Sequence, residues 1–342
     1  MHQIKWISGV LAGTMFLLVA CEKQVSSVFQ GFSAPREFPP VVYRLGANPV
    51  TEEGFELGRR LFYEPRFSRN NTISCGSCHI QSAGFTHHGH DVSHGIDDRL
   101  GHRNSPSLAN LAWYSSFNWD GGIFDLDLFP ISPITNPVEM DESVANIILK
   151  LKSHPEYPRL FKKAFGTEEI NTGRVMKALS QFMVMLVSDQ SRYDQVKRGQ
   201  ASFSATEQRG YALFQTHCNS CHAEPLFTDN SFRDNGIGIG PNQDSGRVAI
   251  SLQPSDRFKF KVPTLRNLSF TAPYMHDGRM RTLDAALDHY AENMKATPNL
   301  DPLLKNGNQP GIPLTSEERS QLKAFLLTLN DTAFIKNPLF AE

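Results

Sequence analysis

The sequence predicts a mainly α-helical, loop-rich protein built from two related domains, on three observations. The first is an internal repeat. A Cys-x-x-Cys-His pentapeptide occurs at Cys75-Gly-Ser-Cys78-His79 and again at Cys218-Asn-Ser-Cys221-His222. A Gly-x-x-Leu-Phe segment precedes each (Gly58 to Phe62, Gly210 to Phe214), and Phe-Thr follows each (Phe85-Thr86, Phe227-Thr228). The second is apolar spacing. Val144, Ile147, Ile148 and Leu151 recur at helical intervals, as do Val175, Leu179, Phe182 and Leu186. Leu283, Ala286, Leu287 and Tyr290 repeat the pattern, as do Leu322, Phe325, Leu326 and Leu329. The third is the lack of any convincing alternating run that would read as a strand. Gly 24 and Pro 21 exceed a tenth of the 342 residues, so much of the remainder is loop.

In chain order, residues 1–20 carry Lys5 and then an apolar run from Trp6 to Ala20. The run is short for a membrane span and has the layout of a secretion signal. It ends in Leu18-Val19-Ala20-Cys21, which resembles a bacterial lipobox, where the Cys is acylated and becomes the first mature residue. The alternative is an ordinary signal in which Cys21 is incidental. Glu22 follows rather than Asp, and the resemblance then implies the outer membrane; the expected location is the periplasm, on a lipid anchor. Residues 21–47, with Ser26, Ser27, Pro35, Pro39 and Pro40 and no periodicity, read as an extended tether. Residues 48–200 and 201–342 are the two domains, each near the usual ~150 residues. Thr51 is placed to cap a helix before the first pentapeptide, and Ser204-Ala-Thr-Glu207 is a capping box before the second. These helices would present Phe55, Leu61 and Phe62, and Tyr211, Leu213 and Phe214. Met176, Met183 and Met185 read as core filling.

Lys plus Arg is 34 and Asp plus Glu 35, a net charge of −1, which argues against nucleic acid as a partner. Cysteine usage is more specific. With Cys21 set aside, all four remaining cysteines fall in C-x-x-C-H, the attachment signature of c-type haem. Two thiols join one porphyrin edge, and the next residue offers an imidazole to the iron. A zinc ribbon would place its two C-x-x-C units about 15–20 residues apart, and these are much further. Disulfides would not explain a His after each pair. Two covalent haem c groups, in two cytochrome c-like domains, are expected.

Two haems can serve an electron carrier, with both irons capped on both sides, or an enzyme with one iron open beneath a proton-handling group. The rest of the chain carries Arg103-Asn104-Ser105-Pro106, Asn118-Trp119-Asp120-Gly121-Gly122 and Asn136-Pro137-Val138-Glu139-Met140. Lys261-Val-Pro-Thr-Leu-Arg-Asn267 and Thr271-Ala-Pro-Tyr-Met-His-Asp-Gly278 follow the second motif. In this order, over roughly residues 48–335, the series resembles the bacterial di-haem cytochrome c peroxidases. The resemblance implies a peroxidatic N-terminal haem and an electron-transfer C-terminal haem, with His79 and His222 as proximal ligands. It implies Glu139 as the distal acid/base and Trp119 as the indole between the haems. It implies a calcium ion held by Asn104 and the carbonyls of Thr271 and Pro273. Substrate and donor would be hydrogen peroxide and a small periplasmic cytochrome c or similar protein, and members often form homodimers. A carboxyl above an open iron suits peroxide, which must lose one proton and gain another. Glu139 has a second reading, as an acid beginning the helix at Val144; Trp119 has one as a core aromatic.

The sequence departs from the pattern at three places. Where the peroxidases put a Met distal to the C-terminal haem, Tyr290 stands here, similar to the MauG branch, which oxidises Trp or Tyr of a partner protein. If Tyr290 is instead a core residue, Met294 or Met275 is the candidate ligand. A phenolate would favour ferric iron. Ile96 occupies the position of a distal gating His, with His87, His88, His90 and His94 nearby. Phe129 replaces a pocket Gln. The reading is therefore a di-haem peroxidase, with a MauG-like oxidase and a non-catalytic electron carrier as rivals.

Overall fold

The computed structural model describes residues 29–342; the expected secretion signal, Cys21 and the first part of the expected tether lie outside the described residues. Two packed helix pairs organise the chain. In the first, helix Glu52–Phe62 begins at Thr51, whose hydroxyl accepts from the Gly54 amide at 3.0 Å. Glu52 and Glu53 lie in its first turn and Arg59 and Arg60 in its last, each sign matched to the nearby end of the helix dipole. It packs on helix Thr172–Val184 and buries Phe55, Leu57, Leu61 and Phe62. Close approach depends on Gly58, where a Cβ would run into the carbonyl oxygen of Ala178.

The second pair repeats this design. Helix Ala205–His217 starts at the Ser204–Glu207 capping box and packs on helix Ser316–Leu327. A Cβ on Gly210 would meet the Gln321 carbonyl and Phe325, as one on Gly58 would meet Ala178 and Phe182. The duplication read from Gly-x-x-Leu-Phe is thus a duplication of packing. Sheet is confined to two small antiparallel pairs, Phe232–Arg233 with Phe260–Lys261 and Lys305–Asn306 with Gln309–Pro310. Among the described residues no helix is long and apolar enough to cross a membrane.

Each pair seeds its own apolar core, the first containing Phe55, Phe62, Trp113 and Phe182, the second Phe214, Phe227, Leu322 and Phe325. The cores interleave at their margins. Phe334 and Phe340, from the end of the chain, belong to the first, and Tyr193 belongs to the second. Arg103, paired with Asp120 of its own region, reaches across to Asp244, and Arg266 pairs with Asp194, the neighbour of Tyr193 in the second core, both buried.

The described part of the tether is not extended. Residues 29–47 form a strap folded onto the first core. The Phe29 and Phe55 ring centroids are 5.3 Å apart, and Phe32 and Phe38 stand 5.9 and 5.0 Å from Trp113. The Trp113 indole N–H donates to Pro39 O at 2.8 Å. Phe38 also lies 5.1 Å from the Arg266 guanidinium, so the strap touches both cores. Burial of such a ring contributes roughly 1.5–3 kcal/mol, enough to hold a proline-rich segment that has no helix of its own.

Candidate functional site

Each pentapeptide closes one turn of chain. Cys75–Cys78 is a short helix, and the His79 amide donates to Cys75 O at 2.9 Å; the His222 amide donates to Cys218 O at the same distance. Both imidazoles are held from behind. His79 Nδ1 lies 2.9 Å from Phe85 O, and His222 Nδ1 lies 3.2 Å from Phe227 O and 3.1 Å from Pro263 O. A carbonyl only accepts, so Nδ1 carries the proton and Nε2 presents its lone pair. Burial lowers the pKa of both rings and keeps them neutral. Phe85 and Phe227 take left-handed φ values of 59° and 56°. That conformation costs a non-glycine residue about 1–3 kcal/mol, and at both sites it belongs to the residue whose carbonyl turns to the imidazole.

None of the four pentapeptide cysteines is paired in a disulfide. Two unpaired cysteines beside a neutral Nε2 donor, twice over, fit a thioether-linked haem c with an axial His.

A large cavity adjoins the second pentapeptide. Cys218, Cys221 and His222 line it, as do Tyr290, Met275 and Trp119. Tyr290 sits in a π-helical turn, His289–Asn293, continuing helix Leu283–Asp288. Such widened turns recur at functional positions. Its hydroxyl accepts from Asn235 Nδ2 at 3.3 Å, and the same amide lies 3.5 Å from Met275 Sδ. Burial raises the Tyr290 pKa. Met294 is elsewhere, in the second core, where a Cβ on Gly236 would touch it.

In the same cavity the Trp119 indole N–H donates to Asn104 O at 2.8 Å. Asn104, Thr271 and Pro273 line the same cavity. Asn104 Nδ2 is engaged by His90 O and Asp91 O at 3.3 and 3.2 Å, which leaves the oxygen end of the amide for a cation. Amide and carbonyl oxygens suit calcium. Among the described residues no three His, Cys, Asp or Glu side chains converge on a metal position. Phe129 lines this cavity too, stacked on Phe117 at 5.2 Å.

Glu139 is linked to the first pentapeptide. The loop through residues 93–96 joins them: Cys78 Sγ lies 3.4 Å from His94 O, Ser93 Oγ lies 3.4 Å from Glu139 Oε1, and the Ile96 amide donates to Glu139 O at 2.7 Å. Burial raises the Glu139 pKa, opposed by the Ser93 hydrogen bond and by His102. Glu139 does not cap the following helix; Ser143 does, accepting from the Asn146 amide at 3.1 Å. Ile96 is buried, so no imidazole stands at that position. His87, His90 and His94, earlier in the same loop, cluster with successive ring centroids 4.2 and 4.3 Å apart, and burial holds His87 down to about 4. His88 is exposed.

Residues 52–202 match the family profile described as di-haem cytochrome c peroxidase. The chain is 36% identical over 320 residues to the methylamine utilization protein MauG of Methylorubrum extorquens, covering 91% of this chain and 86% of that protein. The chain belongs to the di-haem cytochrome c peroxidase family. A second relative, the cytochrome c551 peroxidase of Pseudomonas aeruginosa, is 30% identical over 279 residues, 78% of each chain. Among solved structures, a MauG-like protein associated with microbial copper homeostasis superposes with a TM-score of 0.79 at 34% identity, covering 91% of this chain and 98% of that one. As a di-haem peroxidase-family member the protein carries two c-type haems. Sequence reasoning missed Ser93 as the partner of Glu139, the carbonyls behind each imidazole and the widened turn under Tyr290. The shared Phe-Thr after each motif was the only available signal for the carbonyls.

Proposed function

We propose that the protein is a periplasmic di-haem peroxidase that reduces hydrogen peroxide to water with electrons from a small cytochrome c or similar donor. Cys75, Cys78 and His79 would hold the peroxidatic haem, and Cys218, Cys221 and His222 the electron-transfer haem; these groups supply the redox equivalents. Asn104 with the carbonyls of Thr271 and Pro273 would hold a calcium ion beside Trp119, the bridging indole. Cys21 would carry the lipid anchor, at the outer membrane.

Glu139 is the observation that carries this reading. Peroxide needs one proton taken from the oxygen that binds and one delivered to the oxygen that leaves. A carboxyl whose pKa burial has raised can accept the first at Oε and return it, and Ser93 orients that oxygen. The Ile96 amide fixes the Glu139 main chain, so the carboxyl is set by backbone as well as by Ser93. Glu139→Gln should lower peroxide turnover by about 10²–10⁴-fold with the haem absorbance unchanged. Undiminished turnover would remove Glu139 from the acid/base role.

A second reading, a MauG-like oxidase of Trp or Tyr in a partner protein, is favoured by Tyr290 on the cavity wall and by the relative at 36% identity. Steady oxidation of a reduced small cytochrome by peroxide supports the first reading. Its absence, with a long-lived oxidised state after peroxide, supports the second.

A further inference from the structure

His87, His90 and His94 are a cluster of nitrogen donors that the reading above does not use. The His87 and His90 ring centroids stand 4.2 Å apart, those of His90 and His94 4.3 Å, and those of His87 and His94 6.0 Å. Two imidazoles on one tetrahedral ion, each bound through nitrogen at about 2.0–2.1 Å, would put their centroids roughly 5 Å apart. The three rings therefore lie within the span of a single coordination sphere. As they stand, His87 and His90 are stacked at 24°, and the nitrogens of the three do not meet at one point.

Two buried polar atoms of this loop have no hydrogen-bond partner, His87 Nδ1 and Asp91 Oδ1, and His87 itself is only 9% exposed. A buried imidazole nitrogen without a partner is costly unless something binds it. The main chain that carries the rings is pinned. Asn104 Nδ2 donates to His90 O and Asp91 O, the Ser93 amide to Arg103 O at 3.0 Å, and the Gly95 amide to Arg99 O at 2.9 Å. Arg281 pairs with Asp91 at 2.7 Å. His90 and His94 are half-buried, so solvent reaches them. The movement left to binding is rotation of side chains on a fixed backbone. None of the three histidines lines the cavity at the second pentapeptide, and it is the His94 carbonyl that faces Cys78 Sγ.

We propose that His87, His90 and His94 bind one divalent transition-metal ion of the Cu²⁺ or Zn²⁺ class through three imidazole nitrogens, His87 supplying Nδ1 and water completing the sphere. Three borderline nitrogen donors select such ions, whereas Ca²⁺ and Mg²⁺ take oxygen. The site therefore differs in chemistry from the oxygen set of Asn104, Thr271 and Pro273. Burial, with His90 and His94 adding to it, holds the His87 ring neutral, the state a metal ligand needs. Such an ion would be held whichever reaction the haems run.

The experiment uses the full haem-loaded protein without a polyhistidine tag, freed of loosely held metal by dialysis against a chelator. Cu²⁺ alone and Zn²⁺ alone are titrated by calorimetry at neutral pH in excess Ca²⁺, and the Cu²⁺-loaded protein is read by electron paramagnetic resonance. One equivalent of either ion should bind despite the calcium, and the Cu²⁺ signal should carry couplings to imidazole nitrogens. His90→Gln and His94→Gln should each weaken binding by about 100-fold or more, since even the loss of an outer-shell partner costs roughly 10–100-fold. His88→Gln, at an exposed neighbour, should bind as wild type does. Haem absorbance and far-ultraviolet circular dichroism check that each variant is folded. Failure of wild type to take up either ion, or undiminished binding in both His90→Gln and His94→Gln, would overturn the site. A wild-type Cu²⁺ signal without imidazole coupling would overturn it with no variant needed.

Discussion

Arg266→Met tests how the second core is held to the helix that carries Tyr193 and Asp194. Arg266 is essentially unexposed; Nη1 and Nη2 donate to the two Asp194 oxygens at 2.8 Å each, and Nε and Nη2 donate to Pro225 O at 3.0 and 2.7 Å. Methionine fills the stem but strands the carboxylate, which keeps only the Ser191 amide and hydroxyl at 2.9 and 2.6 Å. Breaking one side of a buried pair costs about 3–5 kcal/mol. At ~2–4 °C per kcal/mol for a unit of 150–250 residues, the thermal midpoint should fall by about 10 °C. Far-ultraviolet circular dichroism of the haem-loaded protein at neutral pH measures it. Arg266→Met/Asp194→Asn, which removes the stranded charge, should recover much of the loss. The change should also reach the second haem site, because Thr264 Oγ1 donates to Leu226 O at 2.7 Å and Pro263 O backs His222. For Asp194, burial would raise the carboxyl pKa, but Arg266 outweighs it and the net direction is down. Its stabilisation is therefore present above the ordinary carboxyl range and lost as pH falls through the lowered value, and Arg266→Met should erase that acid limb. A drop of under about 2 °C in the single variant, or a double variant no more stable than it, would refute the reasoning.

Three further outcomes are expected. Glu139 is shifted upward by burial, so the folded protein binds that proton more tightly; this contribution holds below the ordinary carboxyl range and fades as pH rises through the raised value. Glu139→Gln should flatten that limb of the midpoint-against-pH curve, and an unchanged curve would contradict the burial argument. Gly210→Ala should cost about 1–3 kcal/mol in denaturant titration because the added carbon meets the Gln321 carbonyl, whereas Gly173→Ala, which meets nothing closer than Asn171 Oδ1 at 3.6 Å, should be neutral or stabilising. Tyr290→Phe should abolish the low-spin paramagnetic signal of one haem if the phenolate is its ligand; retention of that signal would pass the role to Met275.

Local chemistry was readable in the sequence, and long-range packing was not. Thr51 and Ser204 announce helix starts because a cap is decided within four residues. The pentapeptides announce their cofactor because thioether spacing is covalent. Glu139 could be read equally as a helix opener, and only the placement of Ser143 as the cap separates the two. Phe29, Phe32 and Phe38 lie in a proline-rich stretch without period, and what they pack on is far away in sequence. His87, His90 and His94 look like solvated loop residues until the fold gathers their rings. The twist that brings Tyr290 to the cavity depends on a single widened turn, which periodicity averages away.

The strap also redraws where this protein begins as a folding unit. A recombinant chain started at residue 48, the natural cut by composition, would deprive Trp113 of the Pro39 carbonyl and of two aromatic neighbours. It would also uncover one side of the Arg266 guanidinium. Such a product should melt lower than one started at residue 29, and differential scanning calorimetry of the two would measure the difference. What looks like a leash is a wedge between Trp113 and Arg266, so shortening the leader for expression removes packing from both.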